Sequence, residues 1–112
     1  MKKIAIVACL KANDVCAGAA CLDALDARRA HFSDYAGEEV KLCAFMRCST
    51  CGVSPTEDRG MTEKLERLLK CGVEIAHIGV CSKKRDGTVC PYMVETAEWL
   101  TSHGIQVVWG TH

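Results

Sequence analysis

The chain has no surplus of charge. Lysine plus arginine and aspartate plus glutamate both total 14, so the formal net charge is zero. Nothing in that balance draws the protein to nucleic acid or to an anionic membrane. Long apolar runs are missing too, since no stretch approaches the ~18 residues that a membrane span requires. The opening Met-Lys-Lys-Ile-Ala-Ile-Val-Ala puts basic residues before a short apolar run, but no signal-peptide cleavage pattern follows. It reads as a first strand of a soluble, cytoplasmic protein. Linkers, low-complexity segments and repeats beyond a strand–helix alternation are also lacking. A length of 112 residues leaves room for one domain, 1–112, able to bury about two thirds of its unfolded surface without disulfides.

What the chain has is cysteine. Nine cysteines make up about 8% of it, a density at which a disulfide framework, a metal site and redox chemistry compete. A disulfide scaffold calls for an oxidising compartment and a small loop-rich fold. The patterning here is instead regular and α/β.

Four short, branched apolar runs read as buried strands: Lys3 to Ala8, Val40 to Met46, Glu74 to Val80 and Ile105 to Trp109. Three helical patterns lie between them. The first, about Gly18 to Ser33, puts Leu22, Leu25, Arg29 and Phe32 on one face. The second follows Ser54-Pro55, a cap and first-turn pair, and carries Met61, Leu65, Leu68 and Leu69 to Gly72. The third starts at Cys90-Pro91, turns Met93, Val94, Ala97 and Leu100 inward, and closes at His103-Gly104.

Such alternation with short connections predicts an α/β fold: a four-stranded parallel sheet of order 2-1-3-4 with helices on both faces, like half of a flavodoxin or Rossmann fold. Parallel strands all end at one edge. Cys9, Cys48, Cys51, Cys81, Cys90 and His112 each follow a strand end, so residues scattered in sequence converge there. Cys9 and Cys81 would flank the crevice between strands one and three, where open α/β sheets bind ligands.

Cys48-Ser49-Thr50-Cys51 is the sharpest signal, because two intervening residues let both thiols reach one metal. A zinc ribbon would need a second C-x2-C, and Cys81 and Cys90 are separated by eight residues. Two other readings of the C-x2-C pair stay open, a structural role and dithiol redox chemistry. In the redox reading a low-pKa thiol such as Cys90 or Cys48 attacks a disulfide, peroxide or oxyanion and a neighbour resolves it. Cys90 precedes Pro91 at a helix start, where the dipole favours thiolate. Against the redox reading, Gly52-Val53-Ser54-Pro55 holds the C-x2-C pair in a loop rather than at a helix start.

Lys83, Lys84 and Arg85 either offset clustered thiolates, attract an anionic small molecule, or are a solvated charge run. Cys16 and Cys21 converge only if the chain between them is irregular. Cys43 and Cys71 read as small core residues, and His77 as a core histidine. His112 reads as a ligand, a proton-transfer group or a frayed terminus.

Taken together, Cys9 with Cys16 and Cys21, the pair Cys48 and Cys51, His77-x3-Cys81, Cys90-Pro91 and the closing Trp109-Gly-Thr-His112 resemble the CGGC domain family. These are small bacterial and archaeal proteins named for a central cysteine motif. Ser49 and Thr50 stand where the family name has glycines. The resemblance implies a metal-binding protein, with zinc suggested by its cysteines and histidines. An iron–sulfur cluster is the alternative centre, since thiolates serve both. The expected ligands are Cys9, Cys48, Cys51, Cys81, Cys90 and His112.

Overall fold

A computed structural model describes residues 1–11, 15–49, 51–83 and 86–112. Its strands are β1 (Lys2–Ala8), β2 (Val40–Arg47), β3 (Ile75–Ile78) and β4 (Gln106–Trp109), and its α-helices are α1 (Ala19–Ala27), α2 (Arg59–Lys70) and α3 (Pro91–Ser102). All four strands pair in parallel in the order β2-β1-β3-β4. β1 is central and Ile4 to Ala8 are buried, as expected of a branched apolar run covered on both faces.

Strand alternation divides the core into two layers. Ala5, Val7, Ala76 and Ile78 meet Met61, Leu65 and Leu68 of α2 and Met93, Ala97 and Leu100 of α3. On the opposite face Ile4, Ile6 and Ile75 meet Cys21 and Ala24 of α1, with Phe32 and Tyr35. No helix among the described residues is long and apolar enough to cross a membrane.

Leu69 of α2 and Val94 of α3, expected on the inward faces, are exposed, and three further local details depart from the sequence reading. The first helix stops at Arg28, which adopts a left-handed conformation (φ 54°). Its guanidinium collects the carbonyls of Leu25, Tyr35 and Glu38, and the chain continues as a 3-10 helix, Ala30–Tyr35. The inward positions of α1 are therefore Cys21 and Ala24, while Leu22 is exposed. The second helix starts after Asp58 rather than Ser54. The Asp58 carboxylate accepts from the Met61 amide at 2.8 Å, the bond of a helix N-cap. The Ser54 hydroxyl instead donates to Glu95 of α3 at 2.6 Å.

The third departure lies in β2. The register steps from Ile4↔Leu42 to Ala5↔Ala44, leaving Cys43 as the extra residue of a β-bulge. Val40 and Leu42 face the α1 layer, whereas Cys43, Ala44, Met46 and Cys48 pack with the α2/α3 layer. Without the bulge, strict alternation from Leu42 would send Met46 and Cys48 to the wrong side.

Candidate metal centre

Four stretches of chain deliver sulfur to one place. Cys9 follows β1, Cys48 and Cys51 follow β2, Cys81 follows β3, and Cys90 is the N-cap of α3. All five line a single cleft of about 450 Å³ at the C-terminal edge of the sheet. Its walls include Leu10, Pro91, Tyr92 and Met93, and Lys11 and Lys83 also line it. Among the described residues no histidine, aspartate or glutamate does.

The backbone positions each thiol. The Cys9 amide donates to Cys81 Sγ at 3.2 Å, and the Gly79 amide continues the β1–β3 ladder by donating to the Val7 carbonyl at 2.9 Å. Gly79 matters here because a Cβ would sit 3.1 Å from Cys81 Sγ. The Cys48 amide donates to the Ala8 carbonyl at 3.2 Å, and its thiol to the Met93 thioether at 3.0 Å. The loop from Cys81 to Cys90 is closed by a bridge between Lys83 and Val89 and by the Cys90 amide donating to the Ser82 carbonyl at 2.9 Å. Both of its cysteines are thus held at the cleft.

Electrostatics tie the thiols together. Burial, then the neighbouring Cys9, Cys90 and Cys51, push the Cys48 thiol up to about 11, with Lys64 opposing. Cys81 is raised by burial and by Cys9, Cys21 and Cys16, while the Cys9 amide opposes. Both thiols stay protonated at neutral pH, and each resists ionising while its neighbours are charged. As the side chains stand, no three Cys, His, Asp or Glu among the described residues form a ready ligand set. A coordination shell at this cleft would require side-chain rotation. The raised Cys48 value is the reverse of what a nucleophilic role for that thiol needs.

A family model described as the CGGC domain matches residues 3–112, nearly the whole chain. The chain belongs to the CGGC domain family. The family is cysteine-rich and metal binding is suggested for it. No curated protein and no solved structure matches.

Other candidates in this CGGC chain sit away from the cleft. His112 is exposed and does not line it. The tail turns at Gly110 (φ 135°) against the His31 ring, and Thr111 is buried with its hydroxyl 3.1 Å from Cys21 Sγ. Cys21 is thus part of the α1 layer, and the Cys16 sulfur accepts from the Gly18 amide at 3.3 Å.

His77 is fully buried. Its Nδ1 lies 3.1 Å from the Gly110 carbonyl and its Nε2 2.7 Å from the Tyr35 hydroxyl. A carbonyl only accepts, so Nδ1 carries the proton and Nε2 accepts from Tyr35. Cys71, read from sequence as a core residue, is exposed at the end of α2. Thr50, Lys84 and Arg85 lie outside the described residues.

Two contributors escaped the sequence reading. Met93 lines the cleft with its sulfur against Cys48, although its helical spacing marks it only as core. The bulge at Cys43 turns Cys48 toward Met93, and a lone mid-strand cysteine gives no sign of it.

Proposed function

We propose that this CGGC domain is a metal-binding protein whose cleft holds a thiophilic centre through Cys9, Cys48, Cys51, Cys81 and Cys90. The observation that carries this reading is that five unpaired thiols from four stretches of chain line one cleft. The donor chemistry fits a soft cation: the thiols are mutually repulsive when ionised, and a bound metal would supply the positive charge that lets them be thiolates. Zinc is the favoured ion, since four thiolates satisfy its tetrahedral preference, and an iron–sulfur cluster is the alternative. Five thiols exceed what one tetrahedral ion needs, so His112 is not required. Nine unpaired cysteines suit the reducing cytoplasm, where the protein is placed in this reading.

The test is elemental analysis and a visible spectrum on protein purified without oxygen or an affinity metal. Near-stoichiometric colourless zinc is expected, lost in Cys48→Ser and Cys81→Ser and kept in Cys43→Ser. Iron with sulfide and a brown colour would replace zinc by a cluster. Metal-free protein with freely alkylated thiols would overturn the reading.

A further inference from the structure

We infer that Met93 is a thioether ligand that lets the cleft take a cuprous ion, the soft monovalent metal, as well as zinc. The inference rests on the proposed reading of the cleft as a metal centre and names a second class of ion for it.

Met93 lies in the first turn of α3 and is fully buried, yet it forms part of the cleft wall. Met93 belongs to the core layer that α2 and α3 build against the sheet, a role that asks nothing of its sulfur. The Met93 sulfur faces the Cys48 thiol at 3.0 Å. With metal–sulfur bonds of ~2.3 Å, two sulfurs of one tetrahedral shell stand about 3.8 Å apart, so this pair is within about an ångström of a shared shell.

The metal-binding side chains along the cleft are all sulfur, five thiols and one thioether, with no imidazole or carboxylate among the described residues. Zinc draws on thiolate, imidazole and carboxylate, whereas thioether is a ligand of soft ions such as Cu(I). A cuprous ion needs fewer donors than zinc's four. Cys48, Met93 and one further cleft thiol suffice for it. Met93 therefore distinguishes the two ions, contributing to cuprous binding and leaving zinc to the thiolates.

The test uses the full chain, reduced and without oxygen, with cuprous affinity measured by competition against a chromophoric cuprous chelator and zinc affinity measured in parallel. Met93→Leu conserves volume, a change cores tolerate. Its cuprous affinity should fall by about tenfold or more, the lower end of what loss of a supporting partner costs a metal site, with zinc affinity unchanged. Unchanged cuprous affinity, or an equal loss for both ions, overturns the role of Met93. Wild-type protein that binds zinc but not cuprous ion sinks this inference alone. Wild-type protein that binds neither sinks the metal-centre reading with it.

Should Met93→Leu not fold, X-ray absorption on selenomethionine-labelled wild-type protein loaded with cuprous ion gives an independent readout. Selenium–copper scattering is expected, and its absence overturns the proposal.

Discussion

The Cys9 amide donates its hydrogen to the sulfur of Cys81, 3.2 Å away across the ends of two adjacent strands. Beyond the last regular rung between β1 and β3, a thiol has taken the place of a carbonyl as acceptor. The sheet thereby fixes Cys81 against Cys9 at the crevice between its two central strands, the usual ligand position of an open parallel sheet.

That bond separates structure from chemistry at Cys81. In Cys81→Ser the hydroxyl oxygen still accepts from the Cys9 amide, so metal-free stability should change by no more than about 1 kcal/mol. The retained metal should nevertheless fall sharply, because serine is no thiolate donor. Chemical denaturation of the metal-free variant and elemental analysis of the protein as purified check the two halves. A variant that keeps its full metal complement would remove Cys81 from the ligand set.

In the proposed reading of the cleft as a metal centre, protons compete with metal for these thiols. Cys48 is pushed up to about 11 and Cys81 is raised as well, so each must shed a proton on ligation. Apparent metal affinity should climb by more than one logarithmic unit per pH unit between about pH 6.5 and 8.5. Competition titrations across that range test it, and a flat profile would mean that the ligands are already ionised. Without metal the sign differs: the raised Cys48 value stabilises the fold below the ordinary thiol value of 9.0, a contribution lost as pH rises toward about 11.

The edge on which the thiols gather was legible because parallel pairing follows from strand–helix alternation, and parallel strands end together. Finer placement depends on contacts that a single sequence does not display. Ser54 and Asp58 are both good caps; Asp58 takes the Met61 amide, while the Ser54 hydroxyl bonds to Glu95, distant in sequence. Arg28 ends its helix by gathering carbonyls as far away as Glu38. His112 follows the last strand as expected, but the turn at Gly110 and the burial of Thr111 beside Cys21 tie the tail to the α1 layer.

His77 makes the fold sensitive to acid. Burial lowers its pKa; the Gly110 carbonyl opposes this, and His31 adds to it. In the unfolded chain the histidine takes up a proton below its ordinary value of 6.5, while the folded protein resists protonation until lower pH. Stability should therefore be complete above 6.5 and decline as pH falls below it. In His77→Gln that acid slope should shrink. Tyr35→Phe, which leaves buried Nε2 without its donor, should cost about 1–3 kcal/mol. Thermal unfolding across the acid range measures both, and an unchanged slope in His77→Gln would assign the acid sensitivity elsewhere.

The extra residue in β2 gives the most stringent test of how the cleft is built. Cys43 allows Val40 and Leu42 to face one layer while Met46 and Cys48 face the other. Deleting it restores strict alternation, and one of those pairs must change sides. The Cys48 amide remains tied to the Ala8 carbonyl at the strand end, yet its thiol can no longer meet Met93 unless Val40 and Leu42 leave the α1 layer. Deletion of Cys43 should therefore abolish metal retention, whereas Cys43→Ser, which keeps the residue count, should leave it intact. Elemental analysis of the two proteins decides the matter: equal metal in both would show that the bulge does not aim Cys48, and equal loss would make Cys43 itself a ligand.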